Sequence, residues 1–156
     1  MFSEALASSP VNAELWHDEV AGLLSGGDHR YTSGRRRVVD VLNEACRPVT
    51  IPEILETDGD LAQSSVYRSL TILEEVGAVT RIVTNDDHAR FELAEALTDR
   101  HHHHLICTKC GSVDDFELPG TAEDGLDRAF SAVAEVTGFR VDAHRLDLLG
   151  ICASCD

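Results

Sequence analysis

Two cysteine pairs with identical spacing constrain this chain more than any other feature of its 156 residues. Cys107 and Cys110 form the first pair, and Cys152 and Cys155 form the second, near the C-terminal end of the sequence. A C-x-x-C spacing is typical of a tight turn that presents two thiolates to one metal ion, and two such turns supply the corners of a tetrahedral zinc site. The sequence therefore predicts that distant segments meet at one structural Zn²⁺ ion.

Other interpretations of these residues agree less well with their context. The run His101–His104 lies inside the chain and leads into the first cysteine pair, whereas purification tags lie at a terminus. Disulfide bonds belong to oxidising compartments. The sequence shows no signal-peptide pattern and no apolar segment of about 18 residues, so we expect a cytoplasmic protein without membrane contact. A thioredoxin-like redox pair requires a strand-to-helix setting, whereas Gly111 leads into a strand-like segment.

The charge distribution limits how this chain can contact nucleic acid. Its formal net charge is -15, and an acidic surface repels phosphate groups. Four of its 13 basic residues cluster, namely Arg30, Arg35, Arg36 and Arg37, which predicts a local DNA contact instead of indiscriminate binding. Aromatic residues make up only 5% of the chain, so stacking on single-stranded nucleic acid is not expected.

The N-terminal half has the pattern of a winged helix. Apolar spacing and capping signals predict helices at about 11–24, 35–45, 51–56 and 62–76. Segments 79–83 and 89–93 predict a β-hairpin around the turn from Asn85 to His88. Helices followed by a hairpin are typical of a winged helix-turn-helix, in which the last helix enters the major groove of DNA.

The helix at 62–76 has a predicted DNA-reading face. Its opposite, apolar stripe is predicted to be buried and consists of Val66, Leu70 and Leu73. The exposed face carries hydroxyl and guanidinium groups of the kind that read base edges and phosphates; these belong to Ser64, Tyr67, Arg68 and Thr71. The positive charge of Arg35 lies at the positively charged end of its helix dipole, which is unfavourable. A bound phosphate would offset this repulsion. A solvated face is the alternative interpretation for both features.

The C-terminal part is predicted to be α/β and to start with the histidine strand. Side chains alternate along a strand, so His102 and His104 face one way while His101 and His103 face the other. One strand can therefore serve two separate metal sites. The other predicted elements are a strand at 113–118, a loop at 119–124, a helix at 125–137 and a strand at 139–149. The predicted buried face of that helix consists of Leu126, Ala129, Phe130 and Val133.

Two segments resemble signatures of the ferric uptake regulator (Fur) family. Ser65-Val66-Tyr67-Arg68-Ser69-Leu70 resembles its recognition-helix signature, and His-His-His-His-Leu-Ile-Cys-x-x-Cys-Gly, beginning at His101, resembles its metal-strand signature. Thr32 to Arg35 resembles the family's motif at the start of the second helix, and the resemblance covers 12–156. It implies an α+β protein with an N-terminal winged helix-turn-helix domain (1–94), a hinge (95–100) and a C-terminal α/β dimerisation and metal-binding domain (101–156).

The resemblance also implies a function and the residues that perform it. The expected protein is a homodimeric, metal-responsive transcriptional repressor that binds double-stranded operator DNA and is not an enzyme. The implied structural zinc ligands are Cys107, Cys110, Cys152 and Cys155, and the implied inter-domain regulatory ligands are Glu92, His102, His104 and Asp115. The implied ligands of a second regulatory site are His101, His103, His144 and an acidic residue, for which Asp127 is the better match and Glu123 the alternative. The implied DNA contacts are Arg35, Ser64, Ser65, Tyr67 and Arg68.

The sequence also departs from the family pattern. Arg47-Pro48-Val49 stands where many members carry a histidine, which leaves the inter-domain site one ligand short; His88 is a candidate replacement, with a solvated histidine as the alternative. The regulatory ligands are all nitrogen or oxygen donors, so we expect Fe²⁺ or Zn²⁺ first, while Mn²⁺, Ni²⁺ and Co²⁺ also fit, because affinity order alone does not select the ion. Cys46 is expected to be a buried or half-buried residue without a ligand role.

Two alternative functions are weighed against metal-responsive repression. A peroxide-sensing repressor of the same family would use the same ligand set, which the sequence does not distinguish. A zinc hydrolase belongs to a different class, but the chain has no H-E-x-x-H or comparable spacing for a catalytic zinc with an open position.

The sequence generates one prediction about regulation. Glu92 is the last acidic residue of the predicted DNA-binding hairpin and His104 belongs to the dimerisation domain, so a shared metal would fix the spacing of two winged helices that must match two half-sites. Glu92→Ala and His104→Ala are each expected to abolish metal-dependent operator binding while the dimer and the cysteine-bound zinc stay intact; His101→Ala or His144→Ala should do less. By thermodynamic linkage, operator DNA must raise the affinity for metal by the same factor by which metal raises the affinity for DNA. The corresponding coupling free energy is on the order of 1 to 3 kcal/mol. Equal metal affinity with and without operator would contradict this mechanism.

Overall fold

The computed structural model describes residues 10–86 and 88–156, with the side chains of these residues from Leu15 onward. Residues 1–9 of the predicted N-terminal domain and Asp87 of the predicted hairpin turn lie outside the described residues. The chain divides into two compact units, of which the first comprises Met1–Val83 and Asp87–Arg100 and the second comprises Thr84–Asp86 and His101–Asp156. Within the described ranges, no helix combines the length and apolar character that crossing a membrane requires.

The first unit is a winged helix-turn-helix, as predicted. Its elements in chain order are α1 (Pro10–Gly26), α2 (Ser33–Ala45), β1 (Val49–Thr50), α3 (Ile51–Thr57), α4 (Gln63–Glu75), β2 (Val79–Val83), β3 (Ala89–Leu93) and α5 (Glu95–Thr98). The strands form an antiparallel sheet in the order β1-β3-β2. The two-residue strand β1 and the single turn α5 were not predicted, because neither is long enough to show a periodic pattern.

Local signals explain why the helices of this unit begin where they do. The Thr32 side chain accepts a hydrogen bond from the backbone N–H of Arg35 at the start of α2. Thr50 and Glu53 form the predicted capping box of α3, in which Glu53 Oε2 lies 2.7 Å from the backbone nitrogen of Thr50. Burial acts to raise the pKa of Glu53, but hydrogen bonds from Thr50 and Arg47 outweigh it and lower that pKa below its usual value. The box thus stabilises α3 chiefly when this carboxylate is charged.

The core of the first unit gathers the buried faces of α1 to α4 and of the sheet. Val66, Leu70 and Leu73 on α4 are buried, as predicted, and they join the cluster that includes Val38 of α2 and Ile54 of α3. The opposite face of α4 is exposed, with 54% of the Tyr67 surface accessible. This packing fixes α4 against the unit while its polar face stays open.

A buried hydrogen-bonded histidine ties α1 to α2. His17 is 6% exposed; its Nδ1 lies 2.6 Å from the Tyr31 hydroxyl and its Nε2 lies 2.8 Å from Asp40 Oδ1. Burial also raises the pKa of Tyr31 well above its usual value. No partner for His17 was visible in the sequence, because the partners lie 14 and 23 residues away on other segments.

The second unit is a three-stranded sheet with one long helix. Its elements are β4 (His103–Cys107), β5 (Val113–Phe116), α6 (Gly120–Thr137) and β6 (Asp147–Gly150). The strand order is β5-β4-β6, with β5 antiparallel and β6 parallel to the central strand β4. Helix α6 is therefore part of the crossover that lets β6 run parallel to β4.

Several boundary predictions in this unit were wrong: the histidine strand begins only at His103, and the strand predicted at 113–118 ends at Phe116. The predicted loop at 119–124 is the first part of α6, because Pro119 accepts hydrogen bonds from the backbone N–H groups of Ala122 and Glu123. Glycines at 120 and 125 have low helix propensity and hid this turn from the sequence pattern. The predicted strand at 139–149 is reduced to β6, because only the residues paired with the short strand β4 are bonded as a strand.

The predicted burial of α6 was also wrong. No residue of α6 is buried, although the structure describes all of them, and Val133 is 59% exposed. Among the described residues of the second unit, the buried hydrophobic side chains are Ile106, Cys107 and Val113. A unit with so small a core needs a further source of stability, such as a metal or a partner chain.

Candidate metal centres and nucleic-acid interface

The four cysteines meet at one place in the second unit, which is called the cysteine centre below. Cys107 ends β4 and Cys152 follows β6, and the parallel pairing of these strands brings the two C-x-x-C turns together. The backbone N–H of Gly111 bonds to the carbonyl of Cys107 at 2.9 Å, and that of Cys155 bonds to the carbonyl of Cys152 at 2.9 Å. Gly111 has a φ of 74°, in the left-handed region that costs another residue about 1 to 2 kcal/mol.

The geometry of the cysteine centre fits tetrahedral zinc. Its four sulfurs lie within 4.8 Å of one another. Zn–S bonds of about 2.3 Å place the sulfurs of a tetrahedron roughly 3.8 Å apart, and the Sγ atoms of Cys110 and Cys152 are 3.7 Å apart. The structural zinc predicted from the spacing of the cysteines therefore has a fitting set of ligands.

The pKa values of two thiols in the cysteine centre are shifted in opposite directions. Hydrogen bonds from the backbone N–H groups of Cys152 and Cys110 lower the pKa of Cys107 to about 6. Hydrogen bonds between its side chain and the sulfurs of Cys152 and Cys110 raise the pKa of Cys155 to about 12. A thiolate is the form that binds metal, and a divalent cation offsets the repulsion between neighbouring thiolates.

A second cluster, called the Glu123 group, consists of His101, His103, Glu123 and His144. Their ligand atoms lie within 4.8 Å of one another. The Nε2 atoms of His101 and His144 are 3.0 Å apart, and Nε2 of His103 is 2.7 Å from Glu123 Oε1. The group joins β4, the first turn of α6 and the segment before β6. Three imidazoles and one carboxylate are suitable donors for Fe²⁺, Zn²⁺, Mn²⁺ or Ni²⁺.

Unsatisfied buried atoms support a cation in the Glu123 group. Glu123 Oε2 is buried, lies 3.6 Å from Nε2 of both His101 and His144, and has no hydrogen-bond partner among the described residues. Buried polar atoms without a partner are costly, and a bound ion is one accepted explanation for them. A bound divalent cation would supply the missing interaction.

The structure brings Glu123 into this group and leaves Asp127 outside it. Asp127 Oδ1 lies 3.8 Å from Nδ1 of His144, and the side chain of Asp127 is 69% exposed. Asp127 was predicted by counting back from the helix stop at Gly138-Phe139, with 119–124 taken as a long loop; that segment instead begins α6, whose first turn carries Glu123.

A third cluster, called the Asp115 group, lies on the other side of β4. His102, His104 and Asp115 offer ligand atoms within 4.8 Å of one another. Asp115 Oδ2 is 3.8 Å from Nε2 of His102, and its Oδ1 is 3.9 Å from Nε2 of His104. The alternation predicted for the histidine strand is therefore observed, because His102 and His104 join one group while His101 and His103 join the other.

The remaining candidate residues have different outcomes. Glu92 lies on β3 in the first unit with its side chain buried, and its role as a regulatory ligand stays a prediction from the sequence. His88 is exposed. The expectation that Cys46 is buried or half-buried was wrong, because it caps the C-terminal end of α2 in the left-handed conformation and is exposed.

The residues predicted to contact DNA lie on one face of the first unit. Arg35, Ser65, Tyr67 and Arg68 line one open depression between the start of α2 and α4, and Ser64 is exposed nearby on α4. The Arg68 Nε donates a hydrogen bond to the Ser64 carbonyl at 3.2 Å, which directs the guanidinium along the helix. Arg37 does not belong to this face, because it is ion-paired with Asp58.

Comparison with known proteins identifies the family. The model of the Ferric uptake regulator family matches residues 27–149, which include α4, the histidine strand and the first cysteine pair. The chain belongs to the Ferric uptake regulator family. The family resemblance in the sequence is thereby confirmed, and so is the predicted function of a metal-responsive transcriptional repressor.

Individual Ferric uptake regulator family members have closely related chains. The Peroxide operon regulator of Bacillus subtilis is 31% identical over 130 residues, which are 81% of this chain and 83% of that protein. The Ferric uptake regulation protein of Legionella pneumophila is 35% identical over 102 residues, 65% of this chain and 69% of that protein. The fold resembles that of the ferric uptake regulator of Helicobacter pylori, with a TM-score of 0.71 and 23% sequence identity. The match covers 92% of this chain and 93% of that one, and that structure is described as revealing three functional metal binding sites.

The cysteine centre generates a prediction about stability. Cys107→Ser or Cys152→Ser removes one of four sulfur ligands, so we expect loss of tightly bound zinc and a lower melting temperature, because structural zinc contributes folding free energy. Zinc content and thermal melting of the purified protein provide the measurement. Cys46→Ser is the matched control, since Cys46 is exposed and outside the centre. Retention of one zinc per chain with an unchanged melting curve would refute the assignment.

The Glu123 group generates a prediction that separates its two acidic candidates. Glu123→Gln is expected to weaken Mn²⁺ binding by tenfold or more, on the order seen when a supporting metal-site residue is lost. Asp127→Asn makes the same change of charge four residues later on α6 and should leave the affinity nearly unchanged. Calorimetric titration of both variants measures the difference, and the reverse order of effects would restore Asp127 as the ligand.

Proposed function

We propose that this protein is a homodimeric repressor that binds double-stranded operator DNA through α4, holds Zn²⁺ in the cysteine centre and responds to a divalent metal at its histidine groups. The observation that carries the proposal is the arrangement of β4. His103 of this strand joins the Glu123 group and His104 joins the Asp115 group, His101 and His102 just before it alternate in the same way, and the strand ends in the cysteine centre. We assign the protein a regulatory and not an enzymatic role, and a cytoplasmic location in which four thiols stay reduced.

The two histidine groups are suited to regulation because each joins separate elements. When bound, a divalent cation supplies the positive charge that holds these ligands together. In the Glu123 group, His101 lies just before β4 and His103 lies in it, while Glu123 comes from α6 and His144 from the segment before β6. The nitrogen and oxygen donors favour Fe²⁺ or Zn²⁺, and Mn²⁺ or Ni²⁺ also fit. Ligand binding that selects one arrangement of such elements shifts its population by the difference in affinity.

The DNA contact proposed for α4 is compatible with a strongly acidic chain. The face formed by Arg35, Tyr67 and Arg68 is local, and its guanidinium groups suit phosphates and guanine edges. The rest of the surface repels DNA, given a net charge of -15. Affinity then depends on placing two such faces at the spacing of two half-sites, which is where a dimer is required.

The exposed apolar surface of the second unit supports a second copy as the partner. Val136 of α6 is 89% exposed, Phe139 after it is 69% exposed, and Leu149 of β6 is 69% exposed. Strand β6 is also an edge of its sheet. Large apolar side chains and an open strand edge are usually covered in the working assembly, and a twofold dimer covers the same patch on both chains.

The function is tested by operator binding at buffered concentrations of each metal. We expect the protein to bind its own promoter tightly only with a regulatory metal. Arg68→Ala should bind the promoter much more weakly with unchanged metal content, since a bidentate base contact is worth about 1 to 3 kcal/mol. Tyr67→Phe should mainly relax sequence discrimination. Arg140→Ala removes the same charge from an 87% exposed side chain in the second unit and is the control. Equal effects of Arg68→Ala and Arg140→Ala would contradict the assignment of α4.

Peroxide sensing is the second candidate, and the similarity to the Peroxide operon regulator of Bacillus subtilis favours it. One additional sample in the same assay distinguishes the two. If Fe²⁺-loaded protein loses operator binding after hydrogen peroxide treatment while Zn²⁺-loaded protein keeps it, the iron form is a peroxide sensor. Equal resistance of both forms favours metal sensing.

A further inference from the structure

An aspartate outside the three ligand groups lies beside a candidate metal ligand. Asp147 begins β6 and is the residue paired with His104 in the parallel register of β6 and β4. The backbone N–H of His104 bonds to the carbonyl of Leu146 at 3.3 Å, so the two segments are joined at this level. Asp147 Oδ1 lies 3.3 Å from Nδ1 of His104. Strand pairing therefore holds a carboxylate against one particular nitrogen of this ring.

The two ring nitrogens of His104 face different carboxylates. Nε2 is directed toward Asp115, whose Oδ1 is 3.9 Å away, while Nδ1 is directed toward Asp147. His104 is 5% exposed, and its ring meets the ring of His102 edge-on at a centroid distance of 5.1 Å. A neutral imidazole donates a hydrogen bond from one nitrogen and accepts with the other, whereas an ionised carboxylate only accepts. Asp147 therefore favours the tautomer with the proton on Nδ1, which leaves the Nε2 lone pair for the Asp115 group.

Arg145 fixes the orientation of the Asp147 carboxylate. Its Nε lies 3.1 Å from Asp147 Oδ1 and its Nη2 lies 2.9 Å from Oδ2. A guanidinium that binds both oxygens of a carboxylate sets its plane as well as its position. The Asp147 side chain is 26% exposed, so this ion pair is partly shielded from water. The result is a chain of contacts from Arg145 through Asp147 to His104.

We propose that Asp147, held by Arg145, is a positioning residue for the regulatory metal of the Asp115 group. It fixes the tautomer and the ring orientation with which His104 presents Nε2 to a divalent cation. Metal-binding histidines commonly donate their other ring N–H to a carboxylate in this way. This inference rests on the proposed function, since it assumes that His102, His104 and Asp115 hold a metal.

The role of Asp147 differs from that of a further ligand. A carboxylate on the Nδ1 side of His104 does not share the cation that Nε2 faces. Asp147 is likewise absent from the cluster in which His102, His104 and Asp115 come together. Strand β6 also leads into Cys152 of the cysteine centre, so zinc retention reports whether a variant at 147 leaves the strand in place.

The test uses the full chain with zinc in the cysteine centre and Glu123→Gln as background, so that Mn²⁺ reports on the Asp115 group. Asp147→Ala is expected to weaken Mn²⁺ binding by about 10- to 100-fold. Asp147→Asn should recover part of this loss, because its amide oxygen still accepts from Nδ1–H. Asp142→Ala is the control, since it removes an acidic side chain that is 74% exposed and pairs with Arg140. Nitrogen-15 spectra of the Mn²⁺-free protein should show the His104 proton on Nδ1, and a change of tautomer in Asp147→Ala.

The possible outcomes separate this inference from the proposed function. Equal Mn²⁺ affinity of Asp147→Ala and its background, or a His104 proton on Nε2 before substitution, would overturn the positioning role alone. Loss of zinc together with Mn²⁺ in Asp147→Ala, without recovery in Asp147→Asn, would assign Asp147 a purely structural role and also overturn it. If the Asp115 group binds no Mn²⁺ before substitution, the proposed regulatory site and this inference both fail.

Discussion

The parallel pairing of β4 with β6 is the contact on which the second unit depends. It brings Gly150 level with Cys107, so that the C-x-x-C turn after β6 meets the turn after β4. The buried apolar side chains described in this unit are few, and a metal held by both turns supplies the cross-link that a small core lacks. The same pairing places Asp147 beside His104. One strand register therefore decides both how the cysteine centre is assembled and which groups surround His104, a candidate metal ligand.

The run His101–His104 supplies two ligand groups with different connections, because alternate side chains of β4 and of the residues just before it face opposite ways. His103 points toward α6 and the segment before β6, while His104 points toward β5 and β6. Side chains on opposite faces of a strand do not share a metal, so the two groups can differ in affinity and in what they hold together. The Glu123 group fixes the start of α6, a helix with no buried residue in the described chain. The hydrogen bond of Glu123 to His103 is therefore one of the contacts that join α6 to the strand.

The first unit presents a local positively charged surface, although the whole chain is strongly acidic. Asp58 neutralises Arg37 on the far side of α2, while Arg35 and Arg68 stay on the open face. The buried contacts of His17 with Tyr31 and Asp40 join α1 to α2 and to the segment that precedes α2. An exposed ion pair adds about 1 kcal/mol at most. The arrangement of charges therefore affects where DNA can approach the protein more than it affects the stability of the fold.

The sequence by itself determined what depends on near neighbours. The hairpin strands at 79–83 and 89–93, the capping box at Thr50, the alternation of the histidines and the two cysteine turns follow from local spacing and were predicted correctly. The tertiary structure alone decided that Glu123 and not Asp127 lies among His101, His103 and His144, that Asp147 lies beside His104 and that α6 is exposed. These features depend on where α6 begins and on a strand register between residues more than 40 positions apart. Periodicity encodes which face a residue occupies, but only packing between distant segments decides what that face meets.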